Sequence, residues 1–329
     1  MRVRIGHPGL TAEIWTLGAA LQAVEVPDAA GEVSSVVLGC RDEAARLEST
    51  AYLGEIVGPF GNRVAGASFV LDGETYHLDP NWVGKHTLHG GAAGFNRQDW
   101  TIEARTAEAV TLGLDWTDRA GHHPGPIRVR VTYAVEGSTL TLVTEATTDA
   151  STVANVVSHP YFNLSSGASA GVDDHVLRVA AETYLPVDAE AIPLPEAPAP
   201  VAGDLDLRAG RPLAESYASS DPQLVQFGGF DHCFVLDGSG MRRVASLSCE
   251  ASGRRLVIET DQPALQVYGG MGLAAPATEG PRGPYAARAG VAIETQGFPD
   301  APNRPDFPST VLRPGEVQRR ETRWIFHAG

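Results

Sequence analysis

Lysine is nearly missing from this chain of 329 residues, with Lys85 the only one. A Schiff-base mechanism therefore has a single candidate side chain, and arginine carries the rest of the basic charge. Cysteine is scarce too. Cys40, Cys233 and Cys249 are odd in number and far apart, which excludes a disulfide framework or a zinc cluster of paired cysteines and fits a reducing, cytoplasmic compartment. No apolar run is long enough for a signal peptide or a membrane span. Positive charge is outweighed: 25 Lys and Arg face 40 Asp and Glu, a formal net charge of -15. Such a surface repels phosphate backbones and anionic lipid, so neither nucleic acid nor membrane is expected as a partner. A neutral small molecule suits it better.

Helical signals are also few. The stretch RDEAARLESTAYL (41–53) is the best candidate, and 36 glycines and 23 prolines interrupt most other stretches too closely for long helices. Alternation of period two recurs instead, in 68–78, 109–117, 127–137, 138–148 and 254–260. Asp72-Gly73 supplies the positive φ values of a tight hairpin turn inside the first of these. The strands do not alternate with helix-length segments, which argues against parallel βαβ architecture. The expected class is all-β and antiparallel. The proline- and alanine-rich segment 185–203 resembles a linker, yet strand-like sequence continues in the same style on both sides. One domain over residues 1–329 is the expectation.

Four polar clusters sit in or beside apolar strand-like stretches, where an idle ionisable group is costly to bury. In GPFGNRVAG (58–66), Asn62 and Arg63 follow glycines, and the arginine fork suits sugar hydroxyls or a developing oxyanion as well as a surface hairpin. In KHTLHGGAAGFNRQDW (85–100), His89 precedes two glycines that let a ligand approach the main chain. In NVVSHPYFNLSSG (155–167), His159 lies beside Pro160 and two aromatics able to wall a pyranose face. Histidine is the side chain best suited to proton transfer near neutrality, though a structural histidine at a strand end fits equally. The fourth cluster comprises FDHCFVL (230–236), QVYGG (266–270) and AIETQGFPDAPNRPDFPSTVLRPGE (292–316). Here Glu294 interrupts an apolar run, so it either faces solvent from an edge strand or sits in a pocket, and Asp231 shares that ambiguity. His122-His123 and Asp173-Asp174-His175 read as solvated loops, and no metal is assigned to them.

Taken together, these clusters resemble the aldose 1-epimerase family, the galactose mutarotases, in order, spacing and wording. The resemblance runs through GNRVAGASFVLDGETYHL (61–78), LHGG with the following GF and W (88–100), SHPYFNL (158–164), the LPVD, IP and VAGDLDLR elements (185–208), FDHCFVL, QVYGG and the ETQ, PD, FP and PGE ending (294–316). It implies a large antiparallel β-sandwich whose concave face holds the sugar, with no cofactor. It also implies Glu294 as general base, His159 as general acid, and Asn62, Arg63, His89, Asp231 and Gln266 as sugar-binding residues. Two departures stand out: Pro160 replaces a common serine or threonine, and Trp82-Val83-Gly84-Lys85-His86 is an unusual lead-in to LHGG that should border the sugar site.

The implied chemistry is opening and reclosure of an aldohexose hemiacetal ring. One group removes the anomeric proton while another protonates the ring oxygen. If Glu294 and Asp231 are both ionised nearby, they should raise the His159 pKa and favour imidazolium. A glycoside hydrolase using Asp231 and Glu294 and a non-catalytic carbohydrate-binding protein are the alternatives. A hexose-6-phosphate epimerase would need basic residues at the sugar rim, for which Arg128, Arg130, Arg242 and Arg243 are the weak candidates.

Overall fold

The computed structural model describes residues 1–117, 122–165, 171–275, 278–281 and 283–328. Its longest hairpin joins Ile127–Glu136 to Thr139–Thr148, paired residue for residue. Along the first of these strands Ile127, Val129, Val131, Tyr133 and Val135 are buried while Arg128, Arg130, Thr132, Ala134 and Glu136 are exposed or half-buried, the period expected of a sheet with one wet face. The Asp72-Gly73 turn has φ values of 52° and 85° and connects Ser68–Leu71 to Glu74–His77, as anticipated.

Three larger sheets are present among the described residues. Nine strands run in the order Thr101–Arg105, Ala109–Trp116, Ile127–Glu136, Thr139–Thr148, Gln318–Ala328, Arg254–Thr260, Arg242–Cys249, Val176–Val179 and Arg211–Pro212. Six more run in the order Tyr161–Phe162, Val291–Gln296, Ala264–Tyr268, Asp231–Val235, Thr183–Leu185 and Ala199–Pro200. A four-stranded N-terminal sheet covers Arg2–His7, Leu10–Trp15, Ala20–Pro27 and Val33–Ser35. Neighbours in these sheets pair antiparallel. The largest apolar cluster takes Leu112, Val131 and Leu256 from the first sheet, Phe162, Phe234, Leu265 and Ile293 from the second, and Ile14 and Val24 from the third. The expected antiparallel β-sandwich is therefore what forms.

The six-stranded sheet is two-faced. Ile293, Leu265 and Phe234 point into that cluster, so their neighbours Glu294, Gln266 and Cys233, one residue along, point out on the opposite side. There they meet the segments around Asn62, His89 and His159. Glu294 thus lies on an interior strand whose six residues are all buried, not on an edge. The proline-rich segment folds onto the same sheet: Leu185, Val187, Ala197 and Val201 are buried, and Arg304 donates to the carbonyls of Leu194, Pro195 and Ala197.

Two expectations need correction, and the phosphate-rim alternative gains no support. The helix is confined to Glu43–Glu48, capped by the Asp42 carboxylate accepting from the Ala45 N–H; beyond Ser49 the chain turns, with Tyr52 left-handed at φ 54°. His123 and His175 are buried, not solvated. His175 Nε2 accepts the Leu164 N–H at 2.8 Å, and His123 packs against Phe69 and Trp116. The four arginines considered for a phosphate rim serve elsewhere or stand exposed. Arg128 pairs with Asp115 and Arg130 with Glu103, Arg242 donates to turn carbonyls, and Arg243 is exposed on the nine-stranded sheet.

The buried Arg254 joins the sheets. It donates to the carbonyls of Val26, Pro27, Glu32 and Leu164 and to the Ser34 hydroxyl at 2.9–3.2 Å. Arg254→Leu should strand these buried acceptors and lower unfolding free energy by about 3 kcal/mol, read as a fall in the urea midpoint.

Candidate active site

Cross-strand register assembles the floor. Glu294 stands opposite Gln266, and Asp231 opposite Tyr268. The Gln266 amide donates to Asp231 Oδ1 at 2.6 Å and Arg63 Nη2 to Oδ2 at 3.0 Å, so both carboxylate oxygens are held. Asn62, with φ 66°, accepts the Arg63 N–H through its own side chain at 2.9 Å and reaches Gln296 at 3.4 Å. Its backbone N–H donates to His89 Nδ1 at 3.1 Å. That bond fixes the neutral tautomer with hydrogen on Nε2. Gly90 makes the arrangement possible, because a Cβ there would lie 2.0 Å from the Gly58 carbonyl oxygen.

His159 is fixed through its main chain. Its N–H donates to the Glu55 carbonyl and its carbonyl accepts from Gly54, each at 3.0 Å. Behind these residues the buried Glu55 carboxylate pairs with Arg46 at 3.1 Å and accepts from Asn96. The His159 ring reaches across the cavity floor, where Nε2 lies 3.4 Å from Glu294 Oε1.

All seven residues singled out in the sequence line one cavity of about 310 Å³. Its walls add Tyr52, Trp82, Tyr161 and Tyr268. The His159 ring lies between Tyr52 and Tyr161, with centroids 5.8 and 5.1 Å away, and Tyr52 also meets His89 edge-on at 4.6 Å. Of the two aromatics after Pro160, only Tyr161 faces the cavity; Phe162 alternates into the core. Trp82 borders the site as its place before LHGG suggests. Tyr52 carried no such signal, being the penultimate position of an expected helix.

Burial governs the electrostatics. The Glu294 carboxyl is pushed well above the ordinary range, first by desolvation and then by the Asp231 charge. Desolvation lowers His159 to about 4, outweighing the upward pull of Asp231. The expected rise in its pKa does not occur, because both groups have lost water and only one carboxylate acts on the ring. His89 is likewise pushed down, by burial and by the neighbouring His159 and Arg63. His159 Nδ1, Glu294 Oε2, Arg63 Nε and Gln266 Oε1 are buried with no hydrogen-bond partner among the described residues.

Ligating atoms of His89, His159 and Glu294 lie within 4.8 Å of one another, as do those of Asp174, His175 and Cys249. Neither set offers a metal its usual donors. The Asn62 bond leaves His89 Nε2 protonated, and His175 has Nε2 engaged by Leu164 and Nδ1 2.8 Å from Asp174 Oδ1.

A family model described as aldose 1-epimerase matches residues 1–324. The chain belongs to the aldose 1-epimerase family. Within it, a galactose mutarotase from Homo sapiens is 37% identical over 319 residues, covering 96% of this chain and 90% of its own length. An aldose 1-epimerase from Escherichia coli (strain K12) is 32% identical over 327 residues, covering 98% and 93%. An aldose epimerase homologue from C. elegans superposes with a TM-score of 0.92 at 28% identity, covering 100% of this chain and 99% of that one. The resemblance read from the sequence is thus borne out at the level of family and fold.

His159 and His232 are both lowered to about 4 by burial, so each is neutral in the native state where an unfolded histidine takes up a proton. Their contribution to stability is complete above about pH 6.5 and is lost as pH falls towards 4. NMR titration should show both imidazoles still neutral at about pH 5.5, and a midpoint near 6.5 for His159 would contradict the burial argument.

Proposed function

We propose that this aldose 1-epimerase family member is a cofactor-free isomerase that interconverts the α and β anomers of an aldohexose such as galactose or glucose. One observation carries the reading: an imidazole and a carboxyl group face each other at 3.4 Å on the floor of a cavity with room for a pyranose. Ring opening requires one proton to leave the anomeric hydroxyl and another to reach the ring oxygen, while the C1–O5 bond breaks to give the open aldehyde. Rotation about C1–C2 followed by reclosure yields the other anomer.

Glu294 takes the anomeric proton and His159 protonates the ring oxygen, and the roles reverse on closure. Burial favours this exchange. A carboxylate whose pKa is raised is a stronger base than a free one, and an imidazolium whose pKa is lowered is a stronger acid. Neutral imidazole with carboxylic acid contains the same single proton as imidazolium with carboxylate, so the two forms differ only in its position. Gln266, Asp231, Arg63, Asn62 and His89 bind the sugar's hydroxyls and ring-oxygen region, with His89 presenting its Nε2–H.

Asp231 differs from a second hydrolytic carboxylate in that both oxygens accept hydrogen bonds, from Gln266 and Arg63. That favours sugar orientation over glycosidic cleavage. No helix among the described residues is long and apolar enough to cross a membrane, and the three cysteines are free and buried; we read the protein as cytoplasmic, with neither membrane nor nucleic acid as a partner. We also read residues 1–329 as one domain, since the main apolar cluster draws on residues from Val3 to Phe326.

Polarimetry on freshly dissolved α-D-galactose and α-D-glucose tests the assignment. Glu294→Ala and His159→Ala should each lower kcat by about 10²–10⁴-fold. An unimpaired Glu294→Ala removes the proposed base, and release of sugar from an aryl galactoside would support hydrolysis instead.

A further inference from the structure

The cavity has a far end that the acid–base pair does not use. From Glu294 a chain of neighbours leads across the floor to Gln266 by strand pairing, to Asp231 and then Arg63 by hydrogen bonds, and finally to Trp82, whose ring lies 4.6 Å from the Arg63 guanidinium carbon. In a pyranose, C4 lies across the ring from C1 and C3 across from the ring oxygen. A sugar reacting at Glu294 and His159 therefore turns its C3–C4 edge along this chain. Galactose and glucose differ at C4.

Trp82 is held there by a short, strained loop. Its N–H and carbonyl exchange hydrogen bonds with His86 at 2.9 and 3.0 Å, and the turn between them places Val83 and Gly84 at φ 46° and 65°. A β-branched residue in the left-handed region is disfavoured and persists only where surrounding contacts impose it. Those contacts come from Glu190. Its backbone carbonyl accepts the Trp82 indole N–H at 3.1 Å, and its carboxylate binds Lys85 at 2.5 Å and His86 Nε2 at 3.0 Å. His86 Nδ1 accepts the Gly66 N–H, so the hydrogen on Nε2 faces Glu190. These six bonds fix one half-exposed aromatic at the cavity wall.

We infer that Trp82 is a specificity-determining residue that favours galacto-configured aldohexoses. An axial 4-hydroxyl leaves the C–H groups at C3, C4 and C5 on one side of the ring as a continuous apolar patch, which an aromatic wall accepts. The gluco configuration breaks that patch. The inference rests on the placement of the reacting atoms at Glu294 and His159.

The test is initial-rate polarimetry with both α-anomers on wild type, Trp82→Ala, Trp82→Phe and Glu190→Gln. The wild type should have the higher kcat/KM for galactose. Trp82→Ala should raise KM for galactose about five- to tenfold with kcat held within about twofold, drawing the ratio of the two sugars towards unity. Trp82→Phe should recover most of the preference, and Glu190→Gln, which keeps the indole but weakens its anchor, should lose part of it. Equal losses on both sugars, or a fall in kcat at unchanged KM, would overturn the role of Trp82 alone. A wild type inactive on both sugars would overturn the mutarotase reading and this inference with it.

Discussion

The site depends on register. Glu294 faces Gln266 because Val291–Gln296 pairs with Ala264–Tyr268 in one alignment; since side chains alternate with period two, slipping either strand by a single residue would carry its polar side chain into the apolar interior and bring an aliphatic neighbour to the cavity floor. The interior face holds that alignment. Ile293, Leu265, Val267 and Phe234 pack with residues of the nine-stranded sheet, so the force that excludes water from the core also aims the polar side chains the other way. Sandwich packing and functional geometry are two faces of the same strand pairing.

Desolvation shapes what those side chains can do. In water a carboxylate and an imidazole this close would settle as an ion pair at neutral pH; here burial disfavours either charge, and Asp231 further opposes ionisation of Glu294. Arg63 works against these effects at Glu294 and is itself joined to Asp231. The result is a pair that rests in its neutral form, with the proton on Glu294. Its scaffold is equally dry, since the Arg46–Glu55 pair lies directly behind the main chain that carries His159. Removing one member of such a pair leaves an unmatched buried charge, whereas replacing both by apolar groups is far milder.

Much of the architecture was legible in the sequence because half-buried strands alternate. Residues 109–117, 127–137 and 138–148 announce themselves in this way. Val291–Gln296 does not, being buried on both faces, and so the location of Glu294 stayed open until its strand was seen in the sheet's interior. The family resemblance named seven of the polar residues lining the cavity. Tyr52 escaped notice because helix-forming residues surround it, while its observed left-handed conformation is stabilised by contacts with distant parts of the chain. His175 was misread for a related reason: its partner is the main-chain N–H of Leu164, and no pattern local to Asp173-Asp174-His175 reveals that contact. The His159 protonation state was misjudged because charge partners can be guessed from sequence, whereas the extent of water exclusion cannot.

The solitary lysine gives the molecule an unusual chemical handle. Lys85 is exposed, and its ammonium group sits on the loop that carries Trp82. Amine-reactive dyes or activated supports, which scatter over most protein surfaces, have here one side-chain target besides the chain's α-amino group. Conjugation at that amine would place a reporter beside the cavity mouth, and coupling to a solid support would orient the molecules with that mouth towards the matrix.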